Sequence, residues 1–218
     1  MAPSIDTSHP DDRRQNRAAR RKAETRARLV EAGRSVIARK GVDAATIGEI
    51  AETADLAFGS FYNYFSTKEE LLDAVIDDAL ELHGHAMDAL TGELSDPAAK
   101  VTTALFGTLA ATASDPVWGW LIVRVAISHE SLLKRLGERL LIDVRRGIDE
   151  GRFQVTTPLL AEYVIGGALI GCVRAKLDGE LDSSADAEFV AYALRLLGVT
   201  TGEASTLAAQ FSADDTSE

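Results

Sequence analysis

The chain has 218 residues, of which 46% are hydrophobic and 26% charged, and its net charge is −11. This length fits one small module joined to one helical body, and the balance of residue types is that of a globular protein, which excludes a fibrous or wholly disordered chain. The single cysteine, Cys172, excludes an internal disulfide and a multi-cysteine metal cluster, and it fits a reducing cytoplasm.

Charge is unevenly distributed along the chain. Between Asp11 and Lys40 eleven basic residues face four acidic ones, a local charge of +7, so the remainder carries −18. A basic end can bind nucleic-acid phosphates while an acidic body stays away from DNA elsewhere. A solvated basic helix would show the same charges, so charge alone leaves the partner open.

The first predicted helix begins near residue 20. Residues 1–19 have almost no apolar periodicity, and we expect a disordered basic arm there, without a targeting segment because aspartates interrupt any apolar run. Gly41 is predicted to end the helix in left-handed backbone. Four apolar residues fall on one face of this helix: Leu29, Val30, Val36 and Ile37.

Two capping boxes predict the next helix starts. Thr46 with Glu49 opens a short second helix, and Thr67 with Glu70 opens a long helix that runs to about residue 90. Asp55 is predicted to form the turn after the second helix, because aspartate tolerates left-handed backbone.

Residues 57–65 are predicted to form a short third helix between these two. Phe61 and Phe65, four residues apart, can anchor one face in a small core. Three short helices followed by a long one form a helix-turn-helix head over residues 20–66. On the outward face, Ser60 and Asn63 can bond base edges or phosphates. Taken alone, the aromatic cluster is more often core packing.

The segment from Thr46 to Leu72, TIGEIAETADLAFGSFYNYFSTKEELL, closely resembles the TetR family of transcriptional regulators, and the resemblance covers about residues 22–76. It implies that Thr46 caps the second helix and binds phosphate, and that Lys68 is a phosphate anchor. It also implies that Gly59 and Ser60 meet the major groove and that Tyr62 and Tyr64 contact the DNA backbone.

Three positions depart from the usual family pattern: Asp55 where glycine is common, Ala57 where a capping serine is usual, and Phe58 where a polar or basic residue is frequent. These changes affect the expected operator sequence more than the DNA-binding role. Phe58 can touch a thymine methyl group or pack inward against Phe61, and helical spacing allows both.

The rest of the chain predicts an all-α body over residues 67–200, followed by a flexible tail over 201–218. Proline, glycine and polar breaks separate helices at about 98–114, 116–128, 130–150, 158–178 and 185–197. The apolar run at 159–173 contains Glu162 and is shorter than the roughly 18 residues that span a bilayer, so it predicts a buried helix and no membrane association.

Two sites are predicted in the body. An apolar ligand pocket with one cationic group, which favours a ligand bearing a carboxylate, is expected to be lined by Phe106, Trp118, Leu121, Arg124 and Val125. A dimer seam, formed as an intermolecular four-helix bundle, is expected at Gly166, Gly167, Gly171, Ala193 and Leu197. Core packing within one chain is the alternative in both cases.

Together these features predict a cytoplasmic DNA-binding regulator, a repressor released from a palindromic operator by a small hydrophobic effector. Its predicted partners are double-stranded DNA, a second copy of itself and that effector. We expect no enzyme activity, cofactor or metal site, since His83 and His85 face different sides of one helix. The alternatives are a helical adaptor or enzyme that has lost DNA binding, and a DNA-binding dimer that responds to no ligand.

Overall fold

The computed structural model describes residues 10–126 and 130–214, and within them every regular element is helical. The predicted all-α fold is therefore confirmed. The α-helices are α1 (Pro10–Lys40), α2 (Ile47–Thr53), α3 (Lys68–Thr91), α4 (Pro97–Ser114), α5 (Pro116–Ala126), α6 (Glu130–Asp149), α7 (Pro158–Leu177), α8 (Asp186–Leu196) and α9 (Thr201–Asp214). Two 3-10 helices, Phe58–Asn63 and Ser183–Ala185, complete the order, and Phe58–Asn63 is called the recognition helix below.

The head is built on α1, α2, the recognition helix and the start of α3. Its core buries Phe61 and Phe65 together with Ile37 and Ile50. Gly33 lets α1 and α3 approach closely, because a Cβ atom there would lie 3.0 Å from a methyl carbon of Leu71. The four apolar residues predicted on one face of α1 are all buried, as expected.

The first helix starts earlier than expected. Residues 10–19, predicted as part of a disordered arm, belong to α1, while residues 1–9 lie outside the described part of the chain. Pro10 suits the first helical position and Asp11 and Asp12 suit the positive end of the helix dipole. The arginine, glutamine and alanine residues that follow favour a helix but give it no apolar face. The pattern of apolar residues therefore did not predict this part of α1.

The expected flexible tail is also wrong for residues 201–214, which form α9 and pack on α8. Ala204 and Ala208 are buried, so small residues four apart make the packing face. Glu203 pairs with Arg152 at 2.6 Å and ties the helix to the body.

The head and the body share one core. Trp118, Leu121 and Val125 of α5 lie in the same hydrophobic cluster as Leu29 and Val36 of α1. A second cluster joins α4, α6, α7, α8 and α9. The body is therefore joined to α1 through closely packed side chains.

Two predicted turns are confirmed by the backbone. Gly41 has φ +84° and ends α1, and Asp55 has φ +55° after α2. Aspartate thus supplies the left-handed residue at a position where glycine has less steric cost.

Helix α7 is less buried than its sequence predicts. It is 20 residues long, and its most apolar 18-residue stretch has a mean hydropathy of 1.4. By length and composition alone it could cross a membrane, as could the core helices of many soluble proteins. Only 28% of that stretch is buried, so one face packs on the body and the other is exposed. The predicted buried helix is therefore wrong for that second face.

Candidate functional site

The recognition helix presents two different faces. Phe61 and Phe65 are fully buried, whereas Phe58 and Tyr62 are 55% and 51% exposed. The rings of Phe58 and Tyr62 pack edge to face with centroids 5.7 Å apart. The buried pair thus holds the helix on the head and leaves an aromatic pair facing outward.

This exposure decides between the two positions considered for Phe58. The inward position against the core is wrong, because the ring lies outside the buried cluster and contacts Tyr62. An exposed ring at the start of a recognition helix is free to contact a thymine methyl group.

Other predicted DNA residues lie on the same outward side. Gly59 is exposed and a Cβ atom there would meet no described atom within 4 Å, so its backbone is open to a close partner. Asn63 is exposed, while Ser60 and Tyr64 are half-buried. The helix is of the 3-10 type and begins at Ala57 without a side-chain cap, in line with the missing serine.

Thr46 caps α2 as predicted. Its Oγ1 accepts from the Glu49 amide at 3.3 Å and donates to Glu49 Oε2 at 3.1 Å. Glu49 also pairs with Lys40, whose hydrogen bond is the main cause of its lowered pKa. The start of α2 is thereby joined to the end of α1.

Lys68 makes contacts that the sequence did not indicate. Its Nζ donates to the carbonyl oxygens of Val42 at 3.0 Å and Ala45 at 3.2 Å. The ammonium group therefore holds the loop that leads into Thr46. A direct phosphate contact by Lys68 stays a prediction.

A basic strip lies beside the recognition helix. A groove of about 580 Å³ separates the first half of α1 from the end of that helix, and its lining is Ala18, Arg21, Lys22, Thr25, Asn63 and Tyr64. Arg26 lies 4.9 Å from the centre of the Phe65 ring. The positive charge predicted from composition thus lies next to Asn63 and Tyr64, at the end of the recognition helix.

The body contains a cavity of about 1260 Å³ between α3, α4, α6 and α7, with apolar walls that include Leu80, Met87, Val101, Leu105 and Ile170. Its size exceeds that of a drug-sized site, which is about 300–1000 Å³. The predicted lining is wrong, because none of the five proposed residues reaches this cavity.

The five residues serve the core instead. Trp118, Leu121 and Val125 pack between α5 and α1, and Phe106 packs on the second cluster. Arg124 stacks over Trp120 at 4.8 Å. The core alternative that the sequence left open for these residues is the correct one.

Polar groups also face the cavity. The side chain of Arg139 pairs with Asp88 across α6 and α3, and this hydrogen bond is the main cause of the lowered Asp88 pKa. Asp143, one turn further along α6, has a raised pKa because of its burial. His83 bonds Thr108 Oγ1 through Nε2 at 3.2 Å, and burial lowers its pKa towards the neutral imidazole.

Acidic groups outnumber basic ones in the cavity wall. Lys100 and Arg139 face six carboxylates, Asp77, Glu81, Asp88, Glu138, Asp143 and Glu162. Arg124, the cationic group expected to favour a ligand carboxylate, does not line this cavity, and the acidic wall would repel a carboxylate. Neutral hydrogen-bond donors suit this wall better.

His83 is the residue that sequence reasoning could have found. It lies between Ala79 and Met87 at four-residue spacing, within a stripe that is otherwise buried and apolar. A polar ring in such a stripe indicates either a hydrogen-bonded histidine in the core or a histidine in the wall of a cavity. Arg139 gave no such signal, because it lies on the polar face of an amphipathic helix.

The exposed face of α7 contains part of the predicted dimer seam. Gly167 and Gly171 are exposed and a Cβ atom on either would meet no described atom within 4 Å. Around them Leu160, Tyr163 and Val164 are 60%, 56% and 45% exposed.

Three other seam predictions are corrected. Ala193 and Leu197 are buried in the second cluster, because α8 turns that face towards α9, and its exposed large residues are Tyr192 and Leu196. Gly166 is half-buried, and a Cβ there would lie 3.6 Å from Glu162 Oε1, at the cavity wall.

Among the residues that the structure describes, no group of three or more histidine, cysteine, aspartate or glutamate side chains could hold a metal ion.

Comparison with known proteins decides the family. Residues 29–75 match the model of bacterial regulatory proteins of the tetR family, and residues 96–210, just over half of the chain, match the tetracyclin repressor-like C-terminal domain. The chain belongs to the TetR family. The head residues of this TetR chain that the resemblance identified lie within the first match.

Solved structures show the same relation over most of the TetR chain. The crystal structure of RolR in complex with resorcinol is 35% identical, with 87% of this chain and 95% of RolR covered and a TM-score of 0.69. The fatty acid degradation regulator FadR from Bacillus halodurans, at 22% identity and a TM-score of 0.67, shares the fold.

Two curated relatives are regulators of the helix-turn-helix type. TtgR of Pseudomonas putida is 37% identical over 70 residues, which are 32% of this chain and 33% of TtgR. The TetR chain thus spans about a third of that relative's length. YfiR of Bacillus subtilis is 26% identical over 170 residues, 73% of this chain and 77% of YfiR.

Proposed function

We propose that this TetR-family chain is a cytoplasmic repressor that binds a palindromic DNA operator as a homodimer and is released by a small hydroxylated aromatic ligand. The observation that carries the DNA-binding part is the recognition helix, whose buried core leaves Phe58 and Tyr62 exposed while its end, at Asn63 and Tyr64, lines a groove with Arg21 and Lys22. The function of an adaptor or an enzyme would not require exposed aromatic residues and basic residues on the same short helix-turn-helix head.

DNA contacts divide into two kinds. Tyr62 and the lysine and arginine residues of the groove suit phosphates, which position the protein without reading sequence. Ser60, Asn63 and Phe58 suit base edges and the thymine methyl group, which carry sequence. Thr46 at the start of α2 adds a helix N-terminus that favours a phosphate.

A second copy of the chain suits the exposed face of α7. If a two-fold axis passes through Gly167, antiparallel α7 helices place Tyr163 of each protomer opposite Gly171 of the other. The large tyrosine side chain then fills the space that the glycine leaves open. Such a self-complementary face is what a two-fold dimer requires. The dimer would present two recognition helices to a palindromic operator.

The ligand class is supported by the cavity and by RolR. RolR is crystallised with resorcinol, a benzene ring with two hydroxyl groups. In this chain apolar walls suit an aromatic ring, and Asp88, Arg139, Asp143 and His83 offer hydrogen-bond acceptors and donors to hydroxyl groups. A purely hydrophobic ligand would make no use of these polar groups, whereas hydroxyl groups can bond them.

The test is a DNA titration with operator sequences selected in vitro from random duplexes. Tyr62→Phe should weaken binding to all sequences by a similar factor, whereas Ser60→Ala and Asn63→Ala should change the preferred sequence. An adaptor or enzyme would bind no sequence saturably. A constitutive DNA-binding dimer would bind the operator equally well with and without resorcinol.

A further inference from the structure

Glu162 is a buried carboxylate without a partner. It lies in the second turn of α7, only 8% exposed, and lines the cavity. No hydrogen bond or ion pair joins its side chain to any other residue in the described part of the chain. The carboxyl oxygens are not among the fully buried polar atoms, so water or a ligand in the cavity can bond them where the protein does not.

The neighbouring helix makes space for this carboxylate. A Cβ atom on Gly137 of α6 would lie 1.8 Å from Glu162 Oε1 and 2.5 Å from its Cδ atom, so any other residue there would displace the carboxyl group from this position. Gly166, one turn further along α7, is 3.6 Å away by the same measure. The carboxyl group is thus seated between two glycines at the cavity wall.

We propose that Glu162 is a specificity-determining residue that accepts a hydrogen bond from a hydroxyl group of the cavity's ligand. This inference rests on the proposed ligand-binding function and deepens it. The ligand would supply the donor that the protein lacks. A ligand in which this hydroxyl is replaced by an acceptor would place two acceptors face to face and be rejected.

The mixture of charges in the wall suits a group that can both donate and accept. The carboxylates alone would also attract an ammonium group, and Arg139 and Lys100 in the same wall oppose this only in part, so the experiment includes an ammonium probe. Donors of the neutral hydroxyl type can bond Glu162 and also accept from Arg139.

The experiment measures calorimetric binding of two probes to the full chain: resorcinol, and 1,3-dimethoxybenzene, which keeps the ring and oxygens but has no donor. Wild-type protein should bind resorcinol at least tenfold more tightly than the dimethoxy compound. Glu162→Leu should weaken resorcinol binding by about 10-fold or more, the range of a hydrogen bond to a charged group, and should not weaken the dimethoxy compound.

A matched control is Glu93→Leu, which changes an exposed glutamate outside the cavity lining and should leave the preference between the two probes unchanged. Glu162→Gln keeps the shape of the side chain and replaces Glu162→Leu in the binding measurement if the leucine variant does not fold. It should reduce the preference for resorcinol by a smaller factor.

Three results would overturn the proposal. The first is a probe preference that is the same in wild type and in the Glu162 variants. The second is tighter binding of benzylamine than of resorcinol to wild-type protein. The third is wild-type protein that binds neither resorcinol nor its dimethyl ether. Operator titration of the same samples shows separately whether the DNA-binding function survives.

Discussion

Arg34 Nη1 donates to Asp115 Oδ2 at 2.8 Å, so α1 of the head is joined to the residue between α4 and α5 of the body. The other oxygen of Asp115 accepts from the amides of Val117 and Trp118 at 3.0 and 3.1 Å and starts α5. Burial would raise the pKa of Asp115, but the hydrogen bonds from Arg34 and the two amides lower it on balance. The end of α4, a helix that lines the cavity, is thus joined to the head through one carboxylate.

Asp115→Asn should weaken this connection. The asparagine oxygen can still cap α5, but the ion pair with Arg34 is lost, so we expect a decrease in Tm of at most about 2–4 °C. The ratio of operator affinities without and with resorcinol should move towards one. Glu31→Gln is the matched control, since it removes the other carboxylate that pairs with Arg34, inside α1. An unchanged ratio in Asp115→Asn would exclude this connection as a route of coupling.

Sequence patterns predicted the head more fully than the body. Capping by Thr46 and Thr67, the turn at Asp55 and burial of Phe61 all depend on local spacing, and the structure confirms them. The cavity depends on how α3, α4, α6 and α7 meet, which no local pattern contains. Trp118 was therefore assigned to a pocket although its helix packs against α1.

Lys68→Met tests both roles of this residue. Loss of the bonds to the carbonyls of Val42 and Ala45 should lower Tm, because these groups lose a charged donor. If the ammonium group also contacts a phosphate, the slope of log affinity against log salt concentration should fall by about one. Lys100→Met, far from the head in the cavity wall, should leave the slope unchanged. An unaltered slope in Lys68→Met would restrict Lys68 to holding the loop.

Gly167→Arg and Gly171→Arg should each convert the dimer to monomers. A side chain fits at both positions in one protomer, because a Cβ atom meets no described atom within 4 Å, so the fold should persist. In the dimer the added charge would lie in the apolar seam. Light scattering measures the mass. Gly202→Arg on α9 is the control, being exposed with equally open space. A dimeric Gly167→Arg protein would show that the seam lies elsewhere.

Stability should depend on pH through Glu162. Its pKa is raised from the ordinary value of 4.5 by burial, so the folded chain holds this proton more tightly than the unfolded chain. This contribution is fully present below pH 4.5 and is lost as the pH rises through the raised value. Asp143 acts in the same direction. Other ionisable groups at the cavity are Asp77, Glu81, His83, Asp88, Lys100, Glu138, Arg139 and Tyr163.

Replacing Glu162 by Gln should therefore flatten the decrease of stability as the pH rises above 4.5. Urea unfolding at several pH values gives the free energy of unfolding of both proteins. Glu138→Gln, at an exposed position, should leave the slope as in wild type. If Glu162→Gln and wild type show parallel pH profiles, the Glu162 proton does not contribute to folding.

The central claim is that one protein binds a specific operator and loses that affinity when a hydroxylated aromatic ligand fills the body. Fluorescence anisotropy of a labelled, selected operator measures this directly when the protein is titrated with and without saturating resorcinol. We expect saturable binding of a dimer to a palindromic duplex, and a 5- to 150-fold weaker affinity with resorcinol, the usual range of coupling between two sites. Operator affinity that is identical in both titrations, although calorimetry shows resorcinol bound, would contradict the claim.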